Sequence, residues 1–210
     1  MIKFENTYVF GFEGAIKGMR LPMKSKSDSD EVRGQFKIGE KDLKLAKRLA
    51  QAGPDHGKFL RMIHVQTTIT APAYWVAEHD TYKVATTRNS ESFMHKGVSS
   101  GFVLEQFDTG IHSDLGEFGL EVSDAWVHVL NTLNELRRKY NKTKDERYFQ
   151  MIRKLLPSGW LITYEWDANY ATLRNIYHQR KNHRLPEWQE FCTWIEGLPY
   201  SELITEANND

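Results

Sequence analysis

Two arginines and two asparagines in the last third of the chain have side chains suited to holding a nucleotide. Arg153 stands four residues before Pro157, and the other three, Asn169, Asn175 and Arg180, fall on one predicted helix. At ~100° of rotation per residue, Asn169 and Arg180 differ by only about 20°. A guanidinium pairs two phosphate oxygens at once, and a carboxamide offers both donor and acceptor to a base. From residue type alone, surface side chains and helix caps are the commoner explanation.

A second concentration of polar residues lies in the stretch DTYKVATTRNSESFMHKG, residues 80–97. It combines three basic residues, Lys83, Arg88 and Lys96, with several threonine, serine and asparagine side chains. Cationic, hydroxyl and amide groups at this density are typical of a loop that wraps a phosphorylated ligand. They are also typical of an ordinary solvated loop, and the stretch by itself does not separate the two interpretations.

Metal and thiol chemistry have little support in the sequence. There is no Walker loop and no G-x-G-x-x-G after a strand. His178 and His183 are not at the spacing of a metal-ligand pair on one helix face, so we predict no metal site. Cys192, the one cysteine, lies among aromatic residues of a predicted amphipathic helix. That context is typical of a small core residue, and we predict a structural role for Cys192.

Charge and hydropathy exclude several classes of partner. The 210 residues contain 28 Lys plus Arg and 28 Asp plus Glu, so the formal net charge is zero. Coating a nucleic-acid backbone usually needs a basic face, and we expect no nucleic-acid partner. No apolar run has the length of a membrane span, and we expect no membrane partner. A single cysteine and an N-terminus without an apolar leader predict a cytoplasmic protein.

Apolar patterning predicts a helix-rich α+β fold around a small mixed or antiparallel sheet, in one domain over residues 1–210. Ile63, Val65, Thr67 and Ile69 alternate with polar residues, as in a half-buried strand. Other strands are predicted at 7–12 and 159–166, and helices at 13–22, 39–53, 122–136, 148–156, 168–182 and 186–198. Residues 21–37 and 96–118 are rich in charged or glycine residues, and we expect them to be mobile loops.

The order and spacing of the C-terminal residues resemble the flavin-dependent thymidylate synthase family. The similar segments are RKLLP at 153–157, Trp166 and NYATLRNIYHQR at 169–180. Similarity continues through GFEGAIKGMRLPMKS at 11–25 and HGKFLRMIHVQTTITAP at 56–72. The resemblance implies two nucleotide-binding arginines, Arg153 and Arg180, and three residues at the flavin cofactor, His56, Asn169 and Asn175.

The family signature, Arg-His-Arg followed by Ser, Asn-Glu, Ser and Arg-Tyr, is only partly present. Its positions fall on Thr81, Tyr82, Lys83, Thr86, Asn89, Ser90, Ser92, Met94 and His95. The resemblance implies that Lys83, Asn89 and Ser92 contact the nucleotide. It places Tyr82 and Thr86 at the flavin. A further departure is Arg61, which stands where the family usually has glutamate.

The resemblance implies an FAD-dependent methyltransferase of dTMP biosynthesis that transfers a one-carbon unit to dUMP. NADPH and methylenetetrahydrofolate would be its co-substrates, and the assembly would be a homo-oligomer, a homotetramer with sites between subunits. The reduced signature leaves two alternatives open. One is a pyrimidine-nucleotide-binding protein on the same fold that sequesters or senses its ligand without catalysis, and the other is a related enzyme with a changed cofactor or substrate. No residue is assigned as catalytic.

Overall fold

The computed structural model describes residues 2–32, 34–111 and 116–207. The strands are β1 (Lys3–Phe10), β2 (Asp30–Val32), β3 (Gln35–Lys37), β4 (His64–Pro72), β5 (Thr86–Ser90) and β6 (Leu161–Asn169). The helices are α1 (Phe12–Arg20), α2 (Glu40–Gln51), α3 (Ala73–His79), α4 (Phe93–Ser100), α5 (Gly116–Thr143), α6 (Glu146–Leu155), α7 (Tyr170–Arg180), α8 (Pro186–Glu196) and α9 (Glu202–Thr205). A 3₁₀ segment, Gly57–Met62, precedes β4. The helix-rich α+β class is confirmed.

Four strands form the main sheet, in the order β1-β4-β6-β5, and β2 pairs with β3 in a separate hairpin. The hydroxyls of Thr7 and Thr67 are 2.9 Å apart, and the Asn6 amide reaches the Thr68 hydroxyl. Residue numbers therefore rise along β1 as they fall along β4, which makes this pair antiparallel. Val65, Thr67 and Ile69 are fully buried, so the predicted alternation of β4 is confirmed.

The described chain forms two compact units. Unit 1 contains Met1–Ile69, Asp80–Asn89 and Tyr164–Asp210, and unit 2 contains Thr70–His79 and Ser90–Thr163. The core of unit 2 consists of Phe102, Phe107, Leu133, Ile152 and Trp160. Trp126, Val129, Leu130 and Leu136 of α5 pack against it, within the range 122–136 that the sequence predicts to be helical. The prediction of a single domain stays a prediction.

The two segments expected to be loops contain regular structure. Residues 21–37 include the β2–β3 hairpin, and residues 96–118 include the end of α4 and the start of α5. Residues 112–115 of the second segment lie outside the described residues. Tertiary bonds hold its helical part: Asn134 bonds both backbone groups of Phe102, and Arg137 donates to the Val98 carbonyl. Local sequence patterns do not reveal hydrogen bonds between residues this far apart in the chain. The mobility of both segments stays a prediction.

A buried carboxylate anchors residues 27–29 to α2. Asp42 is fully buried, and its Oδ1 accepts a hydrogen bond from Arg20 Nε and forms an ion pair with Arg20 Nη2. Its Oδ2 accepts from the hydroxyls of Ser27 and Ser29 and from the backbone N–H groups of Asp28 and Ser29. Burial raises the pKa of Asp42, but hydrogen bonds from Ser27, Ser29 and Arg20 outweigh it and hold the pKa far below its usual range. Asp42 is therefore ionised and fully bonded in the folded chain.

We predict that Asp42→Ala lowers the free energy of unfolding by about 3–5 kcal/mol, because it leaves Arg20 without its buried partner. The folded-state pKa of Asp42 is depressed, so its contribution is complete above the unfolded value of about 3.9 and falls as pH drops through the folded value. Urea unfolding at pH 7 and at low pH measures both effects. Asp42→Asn should reduce the loss of stability below about pH 4, whereas the exposed control Asp30→Asn should leave it unchanged. If both variants and the wild-type chain lost stability equally at low pH, protonation of Asp42 would not be the cause of that loss.

Candidate functional site

The junction between β6 and α7 positions the candidate site. Asn169 ends β6, and its Oδ1 accepts a hydrogen bond of 2.9 Å from the backbone N–H of Thr172. The backbone N–H of Tyr170 donates to the carbonyl of Ile63, just before β4. The prediction that Asn169 lies within the helix is therefore corrected: it is the N-cap, because its side chain satisfies a first-turn N–H that has no partner in the helix. Asn169 is 4% exposed.

Hydroxyl groups fix residues 81–86 against α7. Thr172 Oγ1 donates to the carbonyl of Val84, at 3.0 Å. Thr86 Oγ1 donates to the carbonyl of Tyr82, at 2.8 Å. The Tyr82 hydroxyl donates to Gln179 Oε1 and accepts from Arg180 Nε, at 3.0 and 2.8 Å. The segment that the sequence identifies as a potential ligand loop is thus held at both its backbone and its aromatic side chain.

Arg180 is half-buried and packs against aromatic rings. Its guanidinium carbon lies 4.6 Å from the ring centre of Trp188 and 5.6 Å from that of Tyr82. Such stacking is favourable for a planar guanidinium and fixes its orientation. Arg180 therefore supports Tyr82 from behind, and it does not line the cleft described next.

Two adjoining cavities within unit 1 form a cleft. The larger cavity is about 640 Å³ and is lined by Pro54, Arg61, Thr81, Tyr82, Lys83, Val84, Ala85, Asn169, Ala171, Thr172 and Asn175. The smaller cavity is about 300 Å³ and is lined by Ala50, Gly53, Pro54, Gly57, Leu60, Arg61, Ala171, Arg174, Asn175 and His178. Pro54, Arg61, Ala171 and Asn175 line both, so the cavities meet at these residues. Their sizes are those of small-molecule sites.

The polar groups of the cleft are mainly hydrogen-bond donors. Asn169 and Asn175 both commit their side-chain oxygens within the protein, to Thr172 and Gln179 respectively. The NH₂ groups of these two cleft-lining residues donate to no atom of the described chain. Two cations, Arg61 and Lys83, line the same space, and neither cavity is lined by a carboxylate. We call Arg61, Lys83, Asn169 and Asn175 the cleft donors; together they favour a ligand rich in acceptors, such as phosphate oxygens or ring carbonyls.

The back of the smaller cavity carries two further basic side chains. Arg174 is 8% exposed and donates to the carbonyls of Leu203 and Ile204. Burial lowers the pKa of Arg174. Burial, and then the charges of Arg174 and Lys181, lower the pKa of His178 below its usual value, so its imidazole is neutral at pH 7. The wall therefore combines a fixed guanidinium charge with a neutral imidazole.

The structure brings together four of the sequence-predicted site residues: Tyr82, Lys83, Asn169 and Asn175 line the larger cavity. Two others, Thr86 and Arg180, contact Tyr82. The site residues predicted from the sequence do not include Arg61 and Thr172, which line the cleft. The sequence did contain an indication for Arg61, because an arginine there replaces the glutamate that the resembled family usually has. Thr172 gave none, because its role is a bond to a backbone carbonyl 88 residues away.

The remaining predicted residues lie outside the cleft lining. His56 lies at another cavity of unit 1, of about 650 Å³, whose walls include Met19, Met23 and Met62. Asn89 is exposed on β5. The two in unit 2 are Ser92, at the N-cap of α4, and Arg153, exposed on α6. Ligand contacts by these residues stay predictions.

Thiol and metal chemistry gain no support from the described residues. Within residues 2–32, 34–111 and 116–207, no group of three or more His, Cys, Asp or Glu side chains could hold a metal ion. Cys192 is 4% exposed on α8. Burial, and then the charge of Glu196, raise the pKa of its thiol to about 11. Cys192 is thus a protonated core residue at neutral pH.

Comparisons with known proteins identify the fold. No family model matches the chain, and no curated protein matches its sequence. The structure of flavin-dependent thymidylate synthase ThyX from Helicobacter pylori, complexed with FAD and dUMP, aligns with a TM-score of 0.67 and 16% identity over 99% of both chains. A second Helicobacter pylori ThyX structure with FAD and dUMP has a TM-score of 0.67, with 15% identity over 98% of this chain and 97% of that one.

A UMP/dUMP methylase, PolB from Streptomyces cacaoi bound with 5-Br dUMP, aligns with a TM-score of 0.63 and 14% identity. That alignment covers 96% of this chain and 93% of that one. The chain therefore has an α+β fold of the ThyX type, and the similarity extends over nearly its whole length. At these identities the likeness shows the fold, and the fold that the sequence resemblance implies is confirmed.

We predict that Cys192 reacts slowly with a thiol reagent such as Ellman's reagent at pH 8 in the folded protein. Its pKa of about 11 leaves little thiolate, and burial blocks access. One thiol per chain should react rapidly after unfolding in guanidinium chloride. Rapid reaction of the folded protein would show that the thiol is accessible and would reopen a nucleophilic role.

Two replacements of Asn169 test how much its side-chain oxygen stabilises the N-terminus of α7. Asn169→Ala should lower the free energy of unfolding by about 1 kcal/mol, because the Thr172 N–H loses its acceptor. Asn169→Asp keeps that acceptor and should stay within about 0.5 kcal/mol of the original chain, since Asp and Asn cap helices similarly. Denaturant unfolding of the three proteins makes the comparison. Unchanged stability in Asn169→Ala would mean that the cap contributes nothing.

Proposed function

We propose that the chain is a divergent ThyX-like flavoenzyme that binds FAD and dUMP and transfers a one-carbon unit to the pyrimidine base. The observation that carries the proposal is the set of cleft donors on a fold of the ThyX type. The solved ThyX structures of this fold hold FAD and dUMP, and PolB holds a brominated dUMP. All three ligands are rich in phosphate and carbonyl oxygens, which are the groups that the cleft donors suit.

The cleft fits a flavin nucleotide in three respects. The NH₂ group of Asn169 bonds to no atom of the described chain, so a ligand carbonyl would give it an acceptor. Tyr82 presents a fixed aromatic ring in the wall of the larger cavity. Lys83 and Arg61 offer charges for phosphate groups. FAD binding is therefore part of the proposal.

The residues of the chain would bind and orient while the cofactor supplies the reactivity. FAD, when bound, supplies hydride and one-carbon transfer chemistry. The rigid contacts among Tyr82, Gln179 and Arg180 hold the wall of the cleft in place, and Asn169 and Asn175 orient ring carbonyls. Preformed donors need no reorganisation as charge develops, which favours catalysis. NADPH and methylenetetrahydrofolate are the co-substrates that we propose, in dTMP biosynthesis in the cytoplasm.

One observation favours the alternative, a pyrimidine-nucleotide-binding protein that does not catalyse the transfer. Arg180, which the resemblance assigns to the nucleotide, bonds to Tyr82 and stacks on Trp188. A guanidinium committed in this way supports the wall of the cleft. Binding through Lys83 and the asparagines would remain, while the arrangement around the base would differ from that of an active enzyme.

We predict that the purified protein, incubated with FAD and desalted, retains a visible flavin band and binds dUMP in isothermal titration. Lys83→Gln should weaken dUMP binding by roughly tenfold, because a charge-assisted hydrogen bond to phosphate is lost. The matched control is Lys44→Gln, an exposed lysine on α2, which should bind like the original chain. Formation of dTMP on addition of NADPH and methylenetetrahydrofolate would support the enzyme.

Different results separate the hypotheses. Binding of FAD and dUMP without dTMP formation would support the non-catalytic alternative. Binding of neither ligand at millimolar concentration would overturn the proposed function. Light scattering on the same sample tests the proposed homo-oligomer: a mass near four times 24.5 kDa supports a tetramer, and a monomer removes sites shared between subunits.

A further inference from the structure

Arg61 occupies a distinctive place in the cleft. It is one of the four residues that line both cavities, and it is exposed at their junction. Two other arginines of unit 1 are paired with carboxylates: Arg20 with Asp42, and Arg88 with Asp80. No side chain or carbonyl in the described parts of the chain accepts a hydrogen bond from the Arg61 guanidinium. An arginine left without a partner at the centre of a cleft is available to bind an anion.

The surroundings of Arg61 are positive. Neither cavity has an aspartate or glutamate in its lining, whereas Lys83 lines the larger one and Arg174 the smaller. The first turn of α7 contributes Ala171 at the junction, and the N-terminus of this 11-residue helix carries a partial positive charge. The NH₂ group of Asn169, which bonds to no atom of the described chain, is an independent donor in the same cleft. The junction therefore attracts negative charge from several sides.

The two cavities differ in the chemistry of their walls. The lining of the smaller cavity includes four residues with small side chains or none, Ala50, Gly53, Gly57 and Ala171. The larger cavity has a polar wall that includes Tyr82, Lys83 and the asparagines. A ligand that fills both must have two bulky halves and must cross the junction with an anionic group beside Arg61.

We propose that Arg61 binds the diphosphate of a dinucleotide whose two halves occupy the two cavities. A guanidinium can pair with two oxygens of one phosphoryl group, and the first turn of α7 stabilises the same charge. The inference rests on the proposed function in that FAD is such a dinucleotide. It goes beyond that function because it assigns the diphosphate to a position where the family usually has glutamate, a residue that would repel it.

Titrations of FAD, riboflavin and ADP against four proteins test the role of Arg61. The proteins are the original chain, Arg61→Gln, Arg61→Lys and the control Arg48→Gln, which replaces an exposed arginine of α2 outside both cavities. Arg61→Gln should lose roughly ten- to hundred-fold in affinity for FAD and ADP, and less than about threefold for riboflavin, which lacks phosphate. Arg61→Lys should recover part of the loss, and Arg48→Gln should match the original chain. Thermal unfolding checks that each variant is folded.

The outcomes separate this inference from the proposed function. If the original chain binds FAD and Arg61→Gln binds it equally well, the role of Arg61 is overturned while the proposed function stands. If Arg61→Gln weakens riboflavin as much as FAD, the effect is on cleft shape, and the diphosphate assignment is again overturned. If the original chain binds neither FAD nor dUMP, the proposed function fails. A loss of ADP binding in Arg61→Gln would then still support a diphosphate site at Arg61.

Discussion

The hydrogen bond from the Tyr170 N–H to the Ile63 carbonyl fixes the geometry on which the cleft depends. It aligns the end of β6 with the start of β4, and α7 begins at that point. The 3₁₀ segment Gly57–Met62 ends just before β4, so the same alignment sets its position relative to the first turn of α7. Strand side chains alternate between faces, so a shift of one residue in β6 would turn Asn169 to the opposite face. Pairing of the strands therefore determines whether Asn169 lines the cleft.

Polar side chains of the cleft region stabilise the structure through one atom and leave another without a protein partner. Asn169 and Asn175 accept hydrogen bonds from protein donors through their oxygens, and their NH₂ groups donate to no atom of the described chain. Asn175, Gln179, Tyr82 and Arg180 form one chain of hydrogen bonds along the wall. Such a chain orients each amide, because reversing one would place donor against donor. The donor character of the cleft is thus imposed by the scaffold and is already present before a ligand binds.

The sequence predicted elements better than it predicted contacts. Alternation of Val65, Thr67 and Ile69 identified β4, and apolar spacing identified the helix at 122–136, which lies within α5, because both follow directly from periodicity. The α4 helix was missed, since bonds from Asn134 and Arg137 hold its end, and they lie more than 30 residues away. At the site, similarity at fixed spacing led to Asn169 and Asn175. It did not reveal that Arg180 turns toward Trp188, which depends on an aromatic surface formed only in the folded chain.

The charges of the cleft show how the fold accommodates a reduced signature. The Arg-His-Arg positions hold Thr81, Tyr82 and Lys83, so this segment keeps one cation of two. Arg61, in the 3₁₀ segment Gly57–Met62, supplies a second cation and lines the same cavity as Lys83. A phosphate responds to the field at its position, and that field is the sum of charges from every wall. In this chain the cleft therefore combines one cation from the segment 81–83 with one from the segment that precedes β4, and the two fields add at any point between them. The sign of the field in such a cleft depends on where the side chains meet in the folded chain and not on their order along the sequence.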